Sequence, residues 1–382
     1  SLLALAFALA AGVAGAHGPV PPSLAGVTPP VPPGLVDGPD PLVVDPARAI
    51  ALGKALFWDA NVGTGGVACA SCHFHAGADA RVRNQIGPGR RHTGAATADT
   101  FEPTGSGASG GPGHRLRPLD FPFPRPVTPF EAGSPLAFQT DDVVGSAGVR
   151  AGRWLALLPR SPTPDRCRPA GDPIFHRDGA PARRVTGRNA PTVINAVFNH
   201  RNFWDGRANH VFNGRTPWGN RDPGARIYVR RPDGTVAAER LALPYASLAS
   251  QAVEPPLDGV EMSCEGRRFE DIGRALLPRR PLERQRVHPE DGVLGDAAHP
   301  SGFGLDASYR EWIEAAFHPR LWSGAGDFGR PERGAPWSHA EANFALFFGL
   351  AIQLYESTLV SDQSPFDTSP RDALQIPTAL SA

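Results

Sequence analysis

Cys69-Ala-Ser-Cys72-His73 narrows what this chain can be more than any other stretch of it. Two thiols at this spacing can add to the two vinyl groups of a haem, while the adjacent imidazole turns onto the iron. Two other uses of the spacing fit less well. A zinc site needs two more clustered ligands, and the remaining cysteines, Cys167 and Cys264, stand alone. A redox dithiol needs a βαβ setting, and the chain shows no such alternation. The expectation is one covalently attached haem c, held through Cys69 and Cys72, with His73 as the proximal iron ligand. Cys167 and Cys264 are then either paired or free, which spacing alone does not decide.

The start of the chain points to export. Residues 1–16 form an uncharged apolar run ending in Ala14-Gly15-Ala16, which fits a signal peptide and its cleavage site. The run is shorter than the ~20 residues a spanning helix needs. No other segment qualifies as a span, so a periplasmic protein without a membrane anchor is expected. Lys+Arg is 38 and Asp+Glu is 38, a balance that argues against a dedicated nucleic-acid binder.

Glycine and proline (43 and 42 of 382 residues) predict long connections. A Pro-rich leader covers 17–45, inserts fall at 87–135 and 215–240, and an unstructured tail covers 368–382. Asp45-Pro46 supplies a helix cap followed by proline at the first helical position. Short helices are expected at 244–253, 267–277 and 308–317. A longer one is expected at 338–359, opened by the Ser338/Glu341 capping box, with Phe344, Phe347, Ala351, Leu354 and Tyr355 as its buried stripe. Residues 226–239 read as a small β-hairpin. The fold class expected is mainly α: a cytochrome c-like helical haem region over 46–367 with long loops and insertions.

What occupies the far side of the iron separates a carrier from a catalyst. Met262, the only methionine, is one candidate sixth ligand; His92, His114 and His176 are others. Two further blocks bear on the question. Asn189-Ala-Pro-Thr-Val-Ile-Asn195 is followed by Phe203-Trp204-Asp205-Gly206-Arg207, and Gln251 precedes Glu261-Met262. A carboxylate over the iron can move a proton between the two oxygens of a peroxide, and a nearby amide can orient that peroxide.

Taken in order, LGKALFWD, CASCHFHAGAD, RNAPTVINAVFNHRNFWDGRA, SQAVEPPLDGVEMS and IQLYESTLVSDQSPFD resemble the bacterial di-haem cytochrome c peroxidases and their MauG-type relatives, from about Asp45 to Asp367. The resemblance implies Glu261 as catalytic acid-base, Gln251 as its partner and Trp204 as an electron relay between haems. It also implies Asn189 as part of a calcium site between two haem domains. The family carries a second C-x-x-C-H after the SPFD segment. The 382 residues hold none, so a truncated reading of a di-haem gene is expected, with a true mono-haem variant as the alternative.

The function expected is reduction of hydrogen peroxide to water, with electrons from a small periplasmic cytochrome c or cupredoxin. The alternatives are a non-catalytic electron-transfer cytochrome, a MauG-like or rubber-oxygenase-like oxidase acting on another substrate, and a non-functional fragment. An exposed apolar face on helix 338–359 would support the fragment reading.

Overall fold

A computed structural model describes residues 22–89 and 101–369, apart from 103, 108–109, 122, 124, 129–130, 139, 159–160, 162–163 and 333. The expected signal peptide, His92 and residues 370–382 of the tail lie outside the described residues, as does the leader up to residue 21. The chain divides into two units. The larger is Pro29–Leu359; the smaller joins Ser1–Thr28 to Val360–Ala382. In the smaller unit Ser364 caps helix Pro365–Thr368, and the Asp367 carboxylate accepts hydrogen bonds from Ser23 Oγ (2.8 Å) and Leu24 N (3.1 Å).

The core of the larger unit forms around two thirteen-residue helices, α1 (Pro46–Trp58) and, near the end of the unit, α6 (Phe344–Glu356). Asp45 caps α1 by accepting from Arg48 N at 3.0 Å, with Pro46 at the first position, as the sequence predicts. The two helices meet at Gly53. A Cβ there would stand 2.0 Å from the Ala351 carbonyl oxygen and 2.8 Å from Tyr355 Cβ, so only glycine permits this approach. Between them in sequence lie α2 (Ser247–Ala252), α3 (Phe269–Leu276), α4 (Tyr309–Ala316) and α5 (His339–Ala342). The first three match the three short helices expected.

The expected helix 338–359 is divided. Ser338 and Glu341 form the capping box, but the box opens α5, and the helix breaks at Asn343. The Asn343 side chain explains the break. Its Oδ1 accepts from Tyr228 N (2.9 Å), and its Nδ2 donates to the carbonyls of Tyr228 (2.7 Å) and Leu321 (2.8 Å). Past the break, α6 is buried all round; Leu354 alone is half-buried, so the expected stripe widens into the whole helix. An exposed apolar face, which would support the fragment reading, is absent from α6.

The mainly α expectation is met in part. Helix makes up 25% and strand 16%, so the described architecture is mixed. The strands form six two-stranded antiparallel ribbons, five of them within residues 86–185. They were not foreseen because each is short and interrupted by Gly, Pro or Arg, which removes the long alternation that marks a strand. The hairpin that was foreseen pairs Ile227–Arg230 with Val236–Glu239.

One ribbon, Gly152–Leu157 with Asp165–Pro169, is fastened to the segment after Glu261. Cys167 and Cys264 form a disulfide with Cα atoms 6.3 Å apart and a sequence separation of 97. Glu265 N donates to Gly152 O and Trp154 N to Glu265 O, both at 2.9 Å. The pairing that spacing left open is therefore present.

Candidate active site

The Cys-x-x-Cys-His stretch forms a tight turn, Cys69–Ser71, closed by hydrogen bonds from Cys72 N (3.1 Å) and His73 N (3.0 Å) to Cys69 O. Ser71 Oγ accepts from Ala68 N at 3.0 Å and anchors its start. Both thiols are free of disulfides and half-buried on a cavity wall. Burial first, then the carboxyl of Glu356, hold the Cys69 thiol far above its ordinary value.

His73 Nδ1 donates to Pro191 O at 2.7 Å. A carbonyl can only accept, so this bond places the proton on Nδ1 and leaves the Nε2 lone pair for a metal. Burial lowers the His73 pKa and favours the neutral ring, although the Pro191 bond works the other way.

The 189–193 segment braces the turn from behind. Val193 N donates to Ala76 O (2.9 Å), Asp79 N to Ala190 O (3.0 Å), and Ala190 N to Ser146 Oγ (2.9 Å). Asn189 Nδ2 donates to the carbonyls of Asp79 and Gly145, each at 3.3 Å. Asn189 thus ties two loops together. Among the described residues no group of three His, Cys, Asp or Glu side chains is arranged to hold a metal ion, there or elsewhere. Arg81 completes the brace by donating to Cys72 Sγ (3.2 Å) and gripping Asp79 (2.7 Å). Burial alone would raise the Asp79 pKa, but the bonds from Arg81 outweigh it and hold the carboxyl low.

The second and third blocks reach the same cavity, whose empty space with its mouth is about 1250 Å³. Gln251 arrives on α2, Glu261 and Met262 on a turn, and Trp204 on a loop. Asp258 shapes the Glu261 turn by accepting from Val260 N (2.7 Å) and Glu261 N (3.0 Å). The Trp204 loop is pinned to α2 by Asn202 Nδ2, which donates to Ser247 Oγ at 3.0 Å. Trp204 itself is 68% exposed at the cavity rim.

Burial, helped by the nearby charges of Asp258 and Glu254, pushes the Glu261 pKa up to about 7; Arg207 opposes them. No hydrogen bond joins Gln251 to Glu261 among the described residues, so any partnership runs through what sits between them. Of the sixth-ligand candidates, Met262 lines the cavity. His114 is bonded instead to Asp120 at 3.0 Å, and His176 is exposed on a ribbon; both lie off the cavity.

Glu356, at the end of α6, was not singled out from the sequence. Its carboxyl is on the cavity wall, 5% exposed, and has no hydrogen-bond or ion-pair partner among the described residues. Burial pushes its pKa up to about 8. The only sequence sign of it was a lone acid closing an otherwise apolar helix.

Two free thiols, an imidazole with Nε2 available and a cavity walled by Phe57, Val193, Leu248 and Ile352 are a donor set and setting that fit a c-type haem. A family model described as di-haem cytochrome c peroxidase matches residues 170–373. The match spans more than half of the chain, and the protein belongs to that family, whose members are haem c-binding oxidoreductases. Asn189, Trp204, Gln251, Glu261 and Glu356 lie within the matched segment, and the Cys-x-x-Cys-His turn precedes it. No curated protein and no solved structure matches the chain. Among the described residues no helix is long and apolar enough to cross a membrane.

Proposed function

We propose that the protein is an exported peroxidase that binds one haem c and reduces hydrogen peroxide to water. The electrons come from a small redox protein, a cytochrome c or a cupredoxin. The observation that carries this reading is the convergence of Glu261, with its pKa near neutrality, and the Cys69/Cys72/His73 set on one cavity. The haem, when bound, supplies the iron at which peroxide is reduced. Cys69 and Cys72 hold it as thioethers, and the His73 Nδ1–H bond to Pro191 keeps Nε2 aimed and basic. Glu261 takes the proton from one peroxide oxygen and delivers it to the other, which leaves as water. The Gln251 amide holds the peroxide in line. Trp204, exposed at the rim, passes electrons inward.

Replacing both Cys69 and Cys72 by Ser is expected to leave haem that acid and organic solvent extract from the denatured protein, whereas the parent retains its haem. Equal retention in parent and variant would show that the thiols are not the attachment points. Trp204→Phe is expected to spare the first reaction with peroxide and to slow re-reduction by the donor. An equal loss in both steps would indicate that the indole serves packing.

A second reading rests on Met262, which is 3% exposed on the cavity wall. With its sulfur as sixth ligand the protein would be an electron carrier. The absorption spectrum of the haem-loaded protein decides between them. A spectrum that changes on adding peroxide supports the peroxidase; Met–His ligation that peroxide leaves unchanged supports the carrier.

A further inference from the structure

The ribbon Gly152–Leu157/Asp165–Pro169 has two unlike faces. One is tied down: Trp154 Nε1 donates to Asp165 Oδ1 (3.0 Å), Asp165 pairs with the buried Arg267 (2.8 Å), and Cys167 is disulfide-bonded. The other places Arg153 directly opposite Arg168, with Arg166 two residues along on the same face. Like charges directly opposite one another destabilise a ribbon. All three arginines are nevertheless exposed and make no ion pair among the described residues.

The ribbon lines one side of a groove with about 2530 Å³ of empty space including its mouth, and Arg268 and Arg310 also line it. Three acids line the groove, Asp271, Glu332 and Glu341, against six arginines, so they do not neutralise this set. Glu341 is engaged by Arg274 through two 2.9 Å bonds, and Asp271 is turned back onto Arg268 N at 3.0 Å. Arg310 has one long contact, 3.7 Å, to Glu314. In a chain of zero net charge, this is a local excess of guanidinium groups, and those of Arg153, Arg166 and Arg168 make no ion pair among the described residues.

We propose that this groove binds an acidic polypeptide segment of a partner protein. Guanidinium forks suit carboxylates, which they can grip bidentately. Leu155, 39% exposed, and Ala156 lie among the arginines on the groove wall. Spread charges with apolar positions between them fit an extended chain carrying several carboxylates better than a single small anion. The ribbon is bonded to Glu265 and Cys264, so the docked segment would sit close in the chain to Glu261. The proposal stands apart from the haem reading and is tested without it.

The test is the binding of a fluorescent oligo-glutamate peptide to the full chain, followed by anisotropy at low and high salt. Saturable binding is expected, weakened by salt and weakened about tenfold or more in the Arg153→Glu/Arg166→Glu/Arg168→Glu variant. The corresponding Gln variant removes charge without reversing it and should weaken binding less. A control with Arg177→Glu and Arg230→Glu, both exposed elsewhere, should bind as the parent does. No binding, equal losses in groove and control variants, or displacement by inorganic phosphate at lower concentration than by unlabelled peptide would each overturn the proposal.

Discussion

Glu261→Gln is expected to keep the haem and to slow the reaction with hydrogen peroxide by about 10²-fold or more. The amide has the size and hydrogen-bonding shape of the carboxyl, so the turn set by Asp258 should survive. What is lost is the ability to take a proton and return it. Burial places the Glu261 pKa at about 7, so the ionised form that accepts a proton grows as pH rises through neutrality. The second-order rate constant of the parent, followed by stopped flow, should therefore rise through about pH 7 and level off. The Gln variant should be slow and flat across the same range. A variant that reacts as fast as the parent would remove Glu261 from the mechanism.

The second large effect concerns folding. Glu356 is a buried carboxyl without a partner, and its pKa is raised from an ordinary 4.5 to about 8. Between those values the unfolded chain has lost the proton and the folded chain still holds it. Stability therefore falls as pH rises across that window, by about 1.4 kcal/mol per pH unit for one such group, and levels off above it. Glu356→Gln removes this dependence. Urea unfolding at pH 5, 6.5 and 8 should show the variant gaining on the parent as pH rises, by a few kcal/mol at the top of the range. Glu261 adds a slope of the same size and sign over a shorter window, ending near pH 7, in both proteins. A parent–variant difference that does not change with pH would mean that Glu356 is not held protonated in the fold.

The parts of this molecule that were legible in its sequence are those governed by local chemistry. The Asp45-Pro46 cap and the Ser338/Glu341 box follow from side chains bonding to nearby backbone, and the structure has them; the three short helices also stand where the sequence places them. The haem attachment turn was legible because five adjacent residues carry its chemistry. Glu261, Gln251 and Trp204 were named through resemblance, since nothing local brings a residue at 204 to one at 261. The ribbons at 86–185 were missed because their hydrogen bonds run between strands of two to six residues with no clean period. Glu356 was missed because a terminal helix acid is ordinarily solvated; only the arrangement of α1 and α6 around the cavity buries it. The break at Asn343 was equally invisible, being imposed by Tyr228 and Leu321 from distant parts of the chain.

The disulfide carries a consequence for how the chain is made. Four cysteines can pair in three ways, and the closest two in sequence, Cys69 and Cys72, are the ones the fold leaves as thiols. A newly made chain meeting an oxidant would form the Cys69–Cys72 bond most readily, because its loop is shortest. That bond would block the haem attachment proposed for these two thiols. The finished molecule instead needs oxidation across 97 residues and reduction across three, so its maturation is a problem of sorting thiols. The ribbon contributes to the solution: its backbone bonds to Glu265 bring Cys167 to Cys264, while Cys69 and Cys72 remain on the cavity wall where the proposed haem would bind.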